Sequence, residues 1–124
     1  LIQGHYFLYK TFLTLLANNV FYGQYPISGS TVCDALVGGV GKLSFEILRN
    51  YVDDIVKVKE DNIRKAISHM ARKEKFVVEG GGAVTLAAVM EDPDRIGGRE
   101  VALVMSGGNI DGDLLTEILN EYKL

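Results

Sequence analysis

Two glycine turns constrain the fold of this chain more than any other feature. Each follows a short apolar run and precedes a helix-forming segment: VVEGGGA at residues 77–83 and VMSGGN at residues 104–109. In open α/β sheets, ligands bind beyond the carboxyl ends of the strands, so both turns would share that edge if their strands are parallel. Glycine there permits positive φ and lets the backbone approach a flat ligand. From the residues alone, the turns predict either a ligand site or the ordinary glycine of βα connections.

Apolar periodicity predicts helices that alternate with short strands. The expected helices span residues 5–18, 45–52, 60–75, 83–90 and 114–122, and the expected strands span residues 55–58, 76–78 and 101–105. Residues 101–105 show no polar alternation, which is typical of a strand covered on both faces. Asp111 is placed to cap the last helix. The alternation predicts an α/β fold, in which helices pack on a layered parallel sheet.

The size and charge of the chain exclude several classes of protein. Its 124 residues suit one domain, residues 1–124, and a net charge of −3 gives no basic surface for nucleic acid. The single cysteine, Cys33, favours a reducing, cytoplasmic location. Lys10 interrupts the apolar N-terminal stretch, which therefore falls short of the ~18 residues of a membrane-spanning helix. A first residue Leu1 rather than Met suggests a fragment or a processed product.

Three familiar kinds of site are not supported by the residues. The stretch VGGVGKLS resembles a phosphate-binding loop, but Leu36 stands where that motif needs its first glycine and Leu43 where it needs Ser or Thr. His5, His69 and Cys33 lack neighbours at ligand spacing, so we expect no metal site. No serine lies in a G-x-S-x-G turn, which argues against a nucleophilic triad.

Three segments, taken in order and at their spacing, resemble a known family. They are TVCDALVGGVGKLSFEILRNYVDDIVKVKEDNI, FVVEGGGAVTLAAV and VALVMSGGNID. Together they resemble the C-terminal part of the fold-type II pyridoxal-phosphate enzymes of the threonine dehydratase and serine racemase group. The resemblance covers about residues 30–119. It implies that the cofactor lies between two domains and that this chain supplies the end of the larger one.

The resemblance also implies roles for individual residues. Ser106 would hydrogen-bond the pyridine nitrogen of pyridoxal phosphate, and Gly107 and Gly108 would let the backbone approach the ring edge. Glu79 would lie near the cofactor and help to orient the site. Ala35 stands where the family usually has the glycine of an Asp-Gly pair that packs against one face of the ring, so its methyl group would crowd the cofactor.

Other parts of the family's pattern are missing from this sequence. The lysine that forms the Schiff base, on an S-F-K type motif, and the glycine-rich phosphate loop belong to the first two thirds of these enzymes. Covalent capture of the cofactor needs that lysine, and its phosphate needs a cradle of backbone N–H groups. The metal-binding E-x-x-x-A-x-D pattern is also absent. The resemblance thus implies that the chain alone binds pyridoxal phosphate poorly, catalyses nothing and holds no metal at that site.

Two functions remain open on these grounds. The first is the C-terminal portion of an L-threonine or L-serine dehydratase, an ammonia-lyase acting on a small hydroxy-amino acid and paired with a missing N-terminal part. The second is a free-standing, non-catalytic domain of the same scaffold that forms a homo-oligomer or binds another protein. The retained SGGN motif favours the first, whereas the missing lysine and the apolar first helix favour the second.

Overall fold

A computed structural model of the protein describes residues 30–36, 41–51, 56, 58–96 and 100–123. Its α-helices are α1 (Lys42–Tyr51), α2 (Glu60–His69), α3 (Gly80–Glu91), α4 (Pro93–Ile96) and α5 (Gly112–Glu121), preceded by a 3₁₀ turn at Asp34–Leu36. The predicted helices over 45–52, 60–75, 83–90 and 114–122 are confirmed with small shifts of their ends. The predicted helix over residues 5–18 lies outside the described residues.

Helix α2 supplies the centre of the core. Acidic Glu60 and Asp61 occupy its first turn, where they complement the positive end of the helix dipole. Ile63 and Ile67 are fully buried, which stabilises the fold by roughly 1.5–3 kcal/mol each. The helix then widens into one π-helical turn, Met70–Glu74, and ends at Lys75 in a left-handed conformation with φ 63.

Helix α3 packs against α2 through small side chains. Ala83, Ala87 and Ala88 are fully buried, so the two helices approach closely and leave little room for larger residues. Helix α5 closes the same core with Ile118, which is also fully buried. The core of the described residues is therefore a packing of three helices.

Polar contacts join α5 to α2. Asp111 caps α5 as predicted, because its carboxylate accepts hydrogen bonds from the N–H groups of Asp113 at 2.9 Å and Leu114 at 3.0 Å. The hydroxyl of buried Ser68 donates to the carbonyl of Tyr122 at 2.7 Å. The first contact completes the start of α5 itself, and the second attaches the C-terminal end of α5 to α2.

The predicted sheet is absent from the described residues. Residues 76–78 and 101–105 form no β-ladder there, and Val56 is a single bridge residue. The prediction that residues 101–105 are covered on both faces is wrong for this structure, because Val101 is 45% exposed and Val104 73%. Phe76 and Val77 are exposed as well. The physical reason is that the described part of the chain supplies no layer to cover these apolar side chains.

Candidate cofactor-binding site

The first glycine turn, residues 79–82, begins α3 and packs on the segment that carries Ala35. A Cβ atom added at Gly80 would lie 2.1 Å from the carbonyl oxygen of Val32, and one at Gly81 would lie 3.4 Å from Cγ of Leu36. The 3₁₀ turn Asp34–Leu36 therefore lies directly against the start of α3. Ala35 is the central residue of this 3₁₀ turn and is exposed.

The second glycine turn, residues 106–109, lies against the first. A Cβ atom at Gly82 would lie only 2.5 Å from the carbonyl oxygen of Ser106, a distance that a real side chain could not keep. The backbone N–H of Glu79 donates to the carbonyl of Gly107 at 3.3 Å. The structure thus brings Glu79, Ser106, Gly107 and Gly108 together. Ala35 lies on the 3₁₀ turn that packs against the start of α3, and its own side chain is not placed against these residues.

Contacts within the chain itself favour glycine at both positions 107 and 108. Gly107 adopts φ +84, which is strained for any residue with a side chain, and a Cβ there would lie 2.4 Å from Cδ of Glu79. A Cβ at Gly108 would lie 3.0 Å from the carbonyl oxygen of Val77. Sequence reasoning attributed these glycines to the approach of a cofactor ring. The structure shows in addition that Glu79 and Val77 already fill the space that each glycine leaves.

Glu79 also binds the far end of the second turn. Its Oε2 accepts a hydrogen bond from the backbone N–H of Asn109 at 3.0 Å. Asn109 is 30 residues away along the chain, so no local pattern indicated this contact. The one signal in the sequence was an acidic residue placed immediately before a glycine turn.

Ser106 lies at the surface of the described part of the chain. The residue is exposed, and within the described residues its hydroxyl has no hydrogen-bonding partner. An open groove of about 530 Å³, which we call the apolar groove, is lined by Met105 and Gly107, the neighbours of Ser106, but not by Ser106 itself. Its walls include Met70, Phe76, Val77, Leu103, Met105 and Gly107.

These residues fit one edge of a flat aromatic cofactor. A hydroxyl can donate to or accept from a ring nitrogen, and an apolar wall suits the faces of a ring. The covalent anchor is not among them, because every lysine of the described residues is exposed and none lines the apolar groove. Among the described residues, Ser106 supplies a polar group of the kind that suits a pyridine nitrogen, and no lysine is placed in the apolar groove to bind an aldehyde.

Cys33 does not contribute a nucleophile to this region. It is fully buried, and burial together with nearby Glu60 raises the pKa of its thiol to about 12. The thiol therefore stays protonated at neutral pH, whereas the reactive form of cysteine is the thiolate. Its role is to fill the core beside Val32.

Neither a metal centre nor a membrane-spanning helix is found in the part of the chain that the structure describes. No group of three or more His, Cys, Asp or Glu side chains there is arranged to hold a metal ion. None of its helices has the length and apolar character that crossing a membrane requires.

Comparison with known families decides what this arrangement belongs to. The family described as "Pyridoxal-phosphate dependent enzyme" matches residues 15–107. The chain belongs to this family. The cofactor of the family is pyridoxal phosphate, and the resemblance seen in residues 30–119 is confirmed.

Individual proteins similar to this chain include an ammonia-lyase and a racemase. The chain is 44% identical over 81 residues to the L-threonine ammonia-lyase of Thermotoga maritima, a match that covers 65% of the chain and 20% of that protein. It is 32% identical over 112 residues to the serine racemase of Dictyostelium discoideum, covering 89% of the chain and 34% of that protein.

A solved structure of a threonine deaminase has a similar fold. The crystal structure of a threonine deaminase from T.th. superposes with a TM-score of 0.75 at 31% identity, over 89% of this chain and 36% of that one. The chain thus has the fold of these enzymes. It spans between 20% and 36% of the length of the three proteins compared.

Proposed function

We propose that the chain forms the pyridine side of the cofactor site in an L-threonine or L-serine dehydratase. The observation that carries this proposal is the position of Ser106. Its turn is held against the start of α3, the residue is exposed, and its neighbours Met105 and Gly107 line the apolar groove. Proteins similar in sequence to this chain are an L-threonine ammonia-lyase and a serine racemase.

Ser106 would hydrogen-bond the ring nitrogen of pyridoxal phosphate. When bound, the cofactor withdraws electrons from the α-carbon of the amino acid, and the protein tunes how strongly it does so. A neutral hydroxyl does not hold the ring nitrogen protonated as a carboxylate would, so the withdrawal is weaker. Weaker withdrawal suits the loss of the β-hydroxyl, which leads from L-threonine or L-serine to a 2-oxo acid and ammonia.

The neighbours of Ser106 would shape the space around the ring. Gly107 and Gly108 bring backbone to the ring edge without side chains. Ala35, exposed on the turn that packs against α3, would place its methyl group against one face of the ring. Because the family usually has glycine at this position, the methyl group of Ala35 would leave less room for the ring than in those enzymes.

The remaining groups of the active site would come from the rest of such an enzyme. The Schiff-base lysine and the phosphate loop belong there, and we propose that this chain alone is inactive for that reason. The same portion would cover the exposed apolar side chains of Phe76, Val77, Val101 and Val104. The free, reduced Cys33 favours the cytoplasm as the place where the enzyme works.

A second candidate is a non-catalytic domain that assembles with itself. The exposure of Val104 and Phe76 favours it, because exposed apolar segments without paired neighbours are covered by another chain or aggregate. In that case the Ser106 turn is retained as a structural feature and binds no cofactor.

Complementation separates the two candidates. The chain is mixed with the N-terminal portion of the Thermotoga maritima enzyme and pyridoxal phosphate, and 2-oxo acid formation from L-threonine is measured. The first function predicts activity and a visible absorbance band in the mixture and neither in the chain alone. Ser106→Ala should lower the activity, whereas Ser44→Ala, at an exposed position of α1, should not. A stable symmetric oligomer that gives no activity in the mixture would favour the second function.

A further inference from the structure

We propose that Glu79 is a positioning residue, whose carboxylate holds the 106–109 turn in the one conformation that presents the Ser106 hydroxyl. Its task is to accept a hydrogen bond and fill space, and its charge is not required. What Ser106 then contacts rests on the proposed function. The contact between Glu79 and the turn does not rest on the proposed function, so an experiment can contradict either one without contradicting the other.

Two hydrogen bonds connect Glu79 to two places in the turn, Gly107 and Asn109. Its backbone N–H donates to the carbonyl of Gly107 at 3.3 Å, and its Oε2 accepts from the N–H of Asn109 at 3.0 Å. The bonds lie on either side of Gly108. Glu79 thereby fixes both the carbonyl that precedes Gly108 and the N–H that follows it.

The carboxyl group also occupies the place of the missing side chain at Gly107. A Cβ atom there would lie 2.4 Å from Cδ, 2.5 Å from Oε1 and 2.7 Å from Oε2 of Glu79. All three carboxyl atoms therefore lie against one face of Gly107. Any side chain at position 107 would displace the carboxyl group and break its bond to Asn109.

The turn needs such a contact because little else holds it. Residues 106–109 are exposed, so burial contributes little to their order. Two successive glycines have wide backbone freedom, and fixing them costs more conformational entropy than fixing other residues. Without Glu79 the direction of the Ser106 hydroxyl would vary with the turn.

The contact with Asn109 requires an oxygen acceptor and a side chain of the right length. Glutamine has the same shape as glutamate and keeps one carbonyl oxygen that can accept from an N–H. Alanine keeps neither the acceptor nor the volume. Comparing Glu79→Gln with Glu79→Ala therefore distinguishes two roles of the carboxylate: accepting a hydrogen bond from Asn109, or acting on the cofactor through its charge.

Amide hydrogen exchange of Asn109 tests the contact in the full chain without cofactor. We expect the N–H of Asn109 to exchange faster in Glu79→Ala by about 10-fold, the loss expected of one hydrogen bond, and to keep its protection in Glu79→Gln. Glu100→Ala, at an exposed glutamate of the preceding segment, is the matched control. The amide of buried Ala66 reports whether the core stays folded in each variant. Unchanged exchange at Asn109 in Glu79→Ala with a folded core would overturn the proposal.

Gly107→Ala gives a second test of the same contact. We expect it to deprotect Asn109 as Glu79→Ala does, because the added methyl displaces the carboxyl group. In the double variant, the N–H of Asn109 should exchange little faster than in either single variant, because each single change already removes its acceptor. Full additivity would mean that the two residues act independently, which contradicts the proposal.

The complemented enzyme tests whether Glu79 acts through Ser106. Glu79→Ala should weaken binding of pyridoxal phosphate as Ser106→Ala does, the double variant should be no worse than Ser106→Ala, and Glu79→Gln should bind normally. If Glu79→Gln protects Asn109 yet loses cofactor binding, the charge matters and the positioning role is wrong. If Asn109 behaves as expected but Ser106→Ala binds the cofactor normally, the proposed function fails while the contact stands.

Discussion

The Cα of Gly82 faces the carbonyl oxygen of Ser106 so closely that a Cβ on Gly82 would lie 2.5 Å from it. This relationship joins the first turn of α3 to the turn that carries the candidate cofactor-binding hydroxyl. Because the opposing atom is backbone oxygen, it cannot move aside as the end of a flexible side chain could. The short distance between α3 and the Ser106 carbonyl therefore requires a residue without a side chain at position 82.

Gly82→Ala should destabilise the chain despite the better helix propensity of alanine. Propensity favours the substitution by about 1 kcal/mol, but overpacking against a fixed carbonyl costs on the order of 1–3 kcal/mol. We expect a net loss in the free energy of unfolding, measured by chemical denaturation. Gly112→Ala is the matched control, since it also lies in the first turn of a helix and a Cβ there meets nothing within 4 Å. Equal stability of the two variants would contradict the close contact.

Glu91 should make stability depend on pH. It joins the end of α3 to the start of α2, because its carboxylate contacts Lys59 Nζ at 2.7 Å and Asn62 Nδ2 at 2.6 Å. The hydrogen bond from Lys59 holds the pKa of Glu91 below its ordinary 4.5. A lowered pKa in the folded state means that the stabilisation is complete above 4.5 and is lost as pH falls through the folded value.

The measurement is the free energy of unfolding of Glu91→Gln and the parent chain across acidic pH. Glu91→Gln should be less stable than the parent at neutral pH, and the two curves should converge as the pH falls below the folded pKa of Glu91. Glu100→Gln removes the same charge at an exposed position and should follow the parent throughout. Curves of Glu91→Gln and parent that run parallel to low pH would show that the carboxylate contributes nothing.

Val104→Lys should weaken association without weakening the fold. The side chain of Val104 is 73% exposed, while its backbone carbonyl accepts a hydrogen bond from Thr85 at 3.3 Å that the substitution leaves in place. We expect a change of no more than about 0.5 kcal/mol in the free energy of unfolding. Sedimentation velocity should show that the substitution reduces both self-association and pairing with the N-terminal portion.

Leu43→Lys is the control for that experiment. Leu43 is 70% exposed on α1, a different element from the segment that carries Val104, so the same substitution there should leave association through that segment unchanged. If both lysine variants associate as the parent does, the exposed residues near 104 are not an interface.

Local patterns predicted the helices well. The stripe of Ile63 and Ile67 indicated α2, and Asp111 was correctly predicted to cap α5. Both signals lie within a few residues of the structure they specify. The π-helical turn at Met70–Glu74 carried no such signal, because the same residues fit an ordinary helical period through Lys75.

Contacts between distant segments could not be predicted in the same way. The apolar run around Val104 indicates that the residue is suited to burial, but not which layer covers it, and within the described residues nothing does. The bond between Glu79 and Asn109 joins positions 30 residues apart and has no periodic signature. The sequence thus singled out Glu79, Ser106, Gly107 and Gly108, which the fold brings close together, but not the contact between Glu79 and Asn109.

The central claim is that the Ser106 hydroxyl faces the ring nitrogen of pyridoxal phosphate. The most direct test measures how tightly the complemented enzyme and its Ser106→Ala variant bind pyridoxal phosphate and an analogue whose ring nitrogen is replaced by carbon. We predict that Ser106→Ala weakens binding of the natural cofactor by about 10-fold, as expected for one hydrogen bond, and leaves binding of the analogue unchanged. An equal loss for both compounds, or no loss for either, would contradict the claim.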